Sequence, residues 1–213
     1  MKINKSVLAT CLLLAGLAGQ AQADQYRIGE DKPLVASGTA LLVEDTQSIW
    51  VQMSPEQFQA AKGLTSSNNY RSEHNTLLIN AFGVNSESFR YSKNNENRLL
   101  WADANTLAQY ILNNKQIDLY CTETTSIGML SCIIFARHVD ADGKETIVNY
   151  NQEIFEAGLS RYNVGNLIEE NDKEEAQLSK MQKIIIYSQA QAKKIKAGLW
   201  SRNTGILDIE FEQ

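Results

Sequence analysis

The residues in this chain whose types and spacing are easiest to test for chemistry are its cysteines and histidines. Cys121 and Cys132 sit in IDLYCTETTSIGMLSCIIF, where two apolar-rich runs flank Thr125-Ser126-Ile127-Gly128 in the manner of a β-hairpin. Strands pairing about Ser126-Ile127 bring the two cysteines opposite each other, close enough for a cross-strand disulfide. The other state open to them is a pair of buried free thiols. Metal binding gains little support, because no histidine and cysteine share a zinc-ligand spacing. His74 and His138 lack the partners of any hydrolase signature, and His138, followed by Asp140 and Asp142, reads as a turn with polar residues. The sequence contains no nucleophile elbow and no phosphate-binding glycine loop.

The compartment decides between the two cysteine states. Residues 1–23 read MKINKSVLATCLLLAGLAGQAQA: two lysines, an apolar run from Val7 to about Leu17, then Ala21-Gln22-Ala23. That is the layout of a cleavable secretory signal peptide, too short and wrongly flanked for a spanning helix. Cys11 precedes most of the apolar run, which argues against a lipoprotein cleavage site. The expected destination is the bacterial periplasm or the medium, where a disulfide is the favoured state.

Loss of the leader removes Lys2 and Lys5 and no acid, moving the formal charge from −5 to −7. A field of that sign disfavours nonspecific attraction to nucleic acid or to an anionic membrane. The remaining residues, 24–213, suffice for one domain with a proper core. They contain no second apolar run of spanning length, no detectable repeat and no Pro/Gly-rich linker.

The elements follow from periodicity. Residues 34–53 read as two strands around the turn Glu44-Asp45-Thr46-Gln47. Residues 54–75 read as a polar insertion holding a short helix and a loop. TLLINAFGV is the next strand, and a helix spans roughly Trp101 to Asn113 with Leu107, Tyr110 and Ile111 on one face. The cysteine hairpin follows, then Asp140-Ala141-Asp142-Gly143 turning into the strand ETIVNY. NQEIFEAGL is a short helix, with Asn151 as its N-cap and Gly158 at its end. A long helix covers about 173–197, with Leu178, Met181, Ile185, Ser188, Ala192, Ile195 and Leu199 as one apolar stripe. Lys193, Lys194 and Lys196 crowd its last turns, where cations suit the helix dipole; Gly198 ends it and Trp200 folds back as a plug.

This order resembles that of the staphylococcal nuclease (thermonuclease) family. ANTLAQYILNNKQIDLYC is similar to the family's first helix and following strand, NQEIFEAGLSRY to its N..L...GLA..Y helix, and SQAQAKKIKAGLWS to its closing EAQAKK...G.W element. The resemblance covers roughly Gly38 to Ser201. It implies an α+β fold: a five-stranded OB-fold β-barrel with three helices.

Members of that family hydrolyse phosphodiesters with a calcium ion held by acidic residues, a glutamate that helps activate water, and two arginines. Carboxylates suit the hard cation, a base orients water and guanidiniums clamp phosphate oxygens. With Gly83-Val84 on the family's Gly-Ile, the first arginine position falls on Asn80, the metal aspartate on Asn85 and the glutamate on Ser88. A one-residue slip places Glu87 at the glutamate position instead. The second arginine position falls on Met129, and the early metal element keeps one aspartate, Asp45. Arg71, Arg90 and Arg98 lie in flanking polar stretches.

The resemblance with these replacements implies an exported, non-catalytic binding or assembly module whose partner is a protein or an envelope component. The alternative is an active calcium-dependent nuclease assembled from Asp45, Glu87 and Arg90. Their convergence on one barrel face separates the two.

Overall fold

The computed structural model of the protein describes residues 28–162 and 178–201. The expected leader 1–23, the start of the expected C-terminal helix at 173 and the tail beyond 201 lie outside them. The described chain is α+β, with a seven-stranded sheet that is antiparallel save for one pairing. Its strands are β1 (Leu34–Val43), β2 (Ser48–Met53), β3 (Tyr70–Arg71), β4 (Thr76–Ala81), β5 (Gln116–Thr124), β6 (Leu130–Val139) and β7 (Glu145–Asn149), in the order β3-β4-β2-β1-β5-β6-β7. Ile79 to Ala81 of β4 also pair in parallel with Leu130 to Cys132 of β6, so β1, β2, β4, β6 and β5 form a partly closed ring. The expected clean five-stranded barrel is thus corrected: β3 and β7 extend the sheet past the ring.

β1 serves both sides of the ring. Its first half pairs with β5 and its second half with β2, and Gly38 sits where the two meet. A Cβ there would stand 2.3 Å from the Gln52 carbonyl oxygen, so only glycine fits. A bulge at Leu41 then re-aims the strand. Alternation places Ile49, Val51, Leu77, Ile79, Leu119 and Ile134 inside the ring, all essentially sealed from water. The inner pair Cys121 and Cys132 is joined by a disulfide, as the hairpin register predicts.

Among the described residues, four longer α-helices and one single-turn α-helix surround the ring. α1 (Pro55–Lys62) opens on Ser54, whose Oγ accepts the Gln57 N–H at 3.3 Å, and it buries Phe58 and Ala61. α2 (Glu87–Arg90) is a single turn. α3 (Asn95–Leu112) begins a turn and a half before the expected Trp101 because Asn94 caps it. Its buried stripe is Asn97, Leu100, Ala104, Ala108 and Ile111, while Tyr110, expected inside, is 74% exposed. The small alanines form the face that packs on the sheet, and the aromatic ring is rotated outward.

α4 (Tyr150–Glu156) is capped by Asn149, one turn-half earlier than the expected Asn151. α5 (Lys180–Ile195) starts with a full capping box between Ser179 and Gln182, so Leu178, expected within the helical stripe, lies before it; the helix buries Met181, Ile185, Ser188 and Ala192 of that stripe. Ile195, from the same stripe, is exposed. Lys196 takes the left-handed cap position expected of Gly198. Gly198 instead meets Gly158, where a Cβ on either would lie within 2.3 Å of the other segment's backbone oxygen. Trp200 packs partly buried, with the Lys193 ammonium 4.6 Å from its ring. No helix among the described residues is long and apolar enough to cross a membrane.

Candidate functional site

The expected site residues gather unevenly around one end of the ring. The turn between β1 and β2 is built by Asp45: its Oδ1 accepts the Gln47 N–H at 2.8 Å and the Ser48 N–H at 2.7 Å. This is the local side-chain to backbone bonding that makes aspartate a turn residue. Tyr150, wholly buried at the start of α4, donates its hydroxyl to the Thr46 carbonyl and ties the turn to the helix. Burial, with the charge of Asp45 adding to it, pushes the Tyr150 phenol well above its ordinary pKa.

From that turn a row of polar residues crosses the outer side of the sheet. Ser48 of β2 stands opposite Asn80 of β4, Asn80 opposite Ser131 of β6, and Ser131 opposite Glu123 of β5. Ser131 is only 3% exposed, and its hydroxyl bonds the Glu123 carboxylate. Desolvation raises the Glu123 pKa above the usual carboxylate value, and the Ser131 bond pulls against it. Glu123 was not singled out from the sequence. Strict alternation from Cys121 turns it inward, but a bulge between Cys121 and Glu123 absorbs Thr122 and brings it opposite Ser131.

Asn80 therefore lies in the sheet itself, half-buried between two serines, where the resemblance requires a phosphate-clamping arginine. Met129, at the second arginine position, is buried at 6% exposure in the tight turn Thr125 to Met129. Residues 65–69 close over this turn. Thr65 Oγ1 and the Ser66 N–H both donate to the Gly128 carbonyl, at 2.6 and 3.0 Å, and Asn69 Nδ2 donates to the Ile127 carbonyl at 3.1 Å. Within the expected polar insertion 54–75, residues 65–69 thus clamp the hairpin. Gly128 has φ +73°, and a Cβ there would meet Ser66 Oγ at 2.0 Å.

Past β4, Asn85 is exposed, and its backbone N–H donates to Ser160 Oγ at 2.9 Å. Ser86 Oγ donates to the Leu159 carbonyl at 2.6 Å, fixing the segment that leads into α2. The side chains of Glu87 and Ser88 lie outside the described residues, so the expected meeting of Glu87 with Asp45 falls there too. Arg90 is exposed and stacks 5.1 Å from the Trp101 ring and 5.4 Å from Tyr91. Its cation faces the aromatics beside α3, whereas Asp45 faces its own turn and Tyr150. Among the described residues no group of three or more His, Cys, Asp and Glu side chains is gathered where it would hold a metal ion. His138, read from sequence as part of a turn, lies in β6 with Nε2 3.1 Å from the Ile111 carbonyl oxygen.

A second feature escaped the sequence reading. On the outer side of β2 the Trp50 ring lies under the Arg71 guanidinium, 4.6 Å from the ring centre, while its Nε1–H donates to Glu44 at 2.6 Å. Arg71 is fixed across from Thr76 by β3, and Leu42, half exposed, stands opposite Trp50 on β1. The local signal was the period of β2, in which Trp50 and Gln52 alternate with the inward Ile49, Val51 and Met53.

No protein-family model and no curated protein sequence matches this chain. Among solved structures it is similar to the extended Tudor domain of Tudor-SN (p100) from Drosophila melanogaster, with a TM-score of 0.43 and 7% identity, over 78% of this chain and 99% of that one.

Proposed function

We propose that this protein is an exported, non-catalytic binding module on an OB-type barrel, similar in plan to the staphylococcal nucleases. Strand order supports the plan: β1, β2 and β4 run consecutively, α3 bridges β4 to β5, and β6 closes in parallel onto β4. The observation that carries the reading is the content of the two arginine positions. Asn80 sits in a Ser48–Asn80–Ser131 row, and Met129 is buried under the clamp formed by residues 65–69. Neither side chain neutralises charge on a phosphate.

What remains is a surface. The outer side of β2 and β4 offers the exposed Arg71 guanidinium, seated on the largely buried Trp50 ring that Glu44 holds, with Leu42 exposed beside it. A guanidinium fixed over an aromatic ring before a partner arrives is a side chain enriched at the centres of protein interfaces. With the acidic charge of the chain, this favours a protein or other envelope partner over nucleic acid. The test is a photo-crosslinker placed at Leu42, paired with anisotropy measurements on labelled single-stranded DNA and RNA. The reading expects a discrete protein adduct that Arg71→Ala depletes, and no saturable oligonucleotide binding at physiological ionic strength. Micromolar oligonucleotide binding without an adduct contradicts it.

A further inference from the structure

At the far end of β2 from the polar row, between α1 and the start of the barrel, lies a shallow, open groove of about 330 Å³. Ser37 and Thr39 of β1, Gln52 of β2, Ser54 and Gln57 at the head of α1, and Gln116 of β5 form its walls. Met53 and the bare backbone of Gly38 complete the lining. It shares no residue with the Trp50–Arg71 surface or with the row from Ser48 to Glu123.

The chemistry of these walls is specific in kind. Charged residues make up 21% of the chain, yet every lining side chain is neutral. An ionic ligand would find no counter-charge there to offset its desolvation. What the groove supplies is three carboxamides and three hydroxyls, groups that donate and accept alike. They are also pre-oriented. Gln57 Oε1 accepts the Ser37 N–H and Gln57 Nε2 donates to Ser37 Oγ, both at 3.3 Å. Gln116 Nε2 donates to Thr39 Oγ1 at 2.7 Å. Because the serine and threonine oxygens act as acceptors in these bonds, their own protons are left to donate outward, and the Gln116 carbonyl oxygen is left to accept.

A ligand made of hydroxyl groups, each giving one hydrogen bond and taking another, matches that inventory, whereas an extended peptide would need pockets for alternate side chains that the groove lacks. From this we infer that the groove is a binding site for a neutral oligosaccharide. One or two sugar rings fit its volume, with a C–H face laid over the backbone of Gly38. Affinity is modest, in the range of about 0.1–1 mM, because polar contacts exchange with water.

The experiment is saturation-transfer NMR on the whole mature chain with maltotriose, cellotriose and chitotriose at up to about 10 mM, and with trigalacturonate as the anionic comparison. Side-chain amide resonances of Gln57 and Gln116 report the location. At least one neutral trisaccharide is expected to bind saturably and to move those resonances, with Gln116→Leu and Thr39→Val each weakening it about tenfold. Both positions are accessible at the sheet surface, and an unchanged circular dichroism spectrum shows that the variants are folded. Absence of saturable binding by all three neutral sugars, equal binding by the folded variants, or preference for trigalacturonate overturns the assignment.

Discussion

Replacing Asn151 by alanine is the most informative single perturbation of the scaffold that positions the polar row. Asn151 is completely buried, and its side chain makes three bonds: Oδ1 accepts the Ile134 N–H at 2.9 Å, and Nδ2 donates to the carbonyls of Phe82 at 2.9 Å and Cys132 at 3.2 Å. One amide thus fastens α4 to β6 and to the segment leaving β4. The Cys132 carbonyl keeps another bond, from the Phe82 N–H at 2.8 Å. Alanine therefore strands two groups, the Ile134 N–H and the Phe82 carbonyl, at about 1–3 kcal/mol each, and leaves a small void. The expected loss is about 4 kcal/mol. With an m-value of about 2 kcal/mol per molar urea, the unfolding midpoint falls by about 2 M. Urea melts followed by circular dichroism, with the disulfide intact, measure it. Asn149→Ala is the comparison, since it removes only a helix cap and costs about 1 kcal/mol. A loss below about 1 kcal/mol for Asn151→Ala, or equal losses for both variants, would refute the reasoning.

Three further outcomes follow from the same structure. Glu123 has its native pKa raised, so the stability it confers is present below about pH 4.5 and is lost as pH rises through the native value; Glu123→Gln should gain thermal stability relative to wild type at pH 7 and not at pH 3.5. The Tyr150 phenol is likewise raised, so its stabilising effect holds below about pH 10 and fades above; ultraviolet titration should show one tyrosine resisting ionisation until unfolding, and Tyr150→Phe should remove that component. Reducing the Cys121–Cys132 bond, or replacing both cysteines by alanine, should cost about 3 kcal/mol in urea melts, as expected for a cross-link that closes a short loop.

Much of the fold was legible because it depends on local signals. The hairpin register followed from Thr125 to Gly128 between two apolar runs, and α5 from its three-and-four stripe. What the sequence hid were the consequences of long-range packing. Asn151 has the composition of a helix cap, yet the cap is Asn149, and only the approach of β4 and β6 gives Asn151 its three partners. Glu123 changed faces through a single-residue bulge, which alternation cannot anticipate. Residues 65–69 are polar enough to read as a loop, because their side chains and backbone bond to the carbonyls of Ile127 and Gly128 rather than to a hydrophobic face. Asp45, Asn80 and Met129 could be picked out along the chain, but their neighbours could not, and the neighbours are what bear on their chemistry.

Hydrolysis of single-stranded DNA and RNA by purified residues 24–213, with calcium and with chelator, tests the central claim most directly. The account predicts no cleavage above the chelated control from protein shown to be folded. Calcium-dependent cleavage that disappears in an Asp45→Ala, Glu87→Ala double variant would contradict it, and would place a working phosphodiesterase site where Asn80 and Met129 now argue for a binding scaffold.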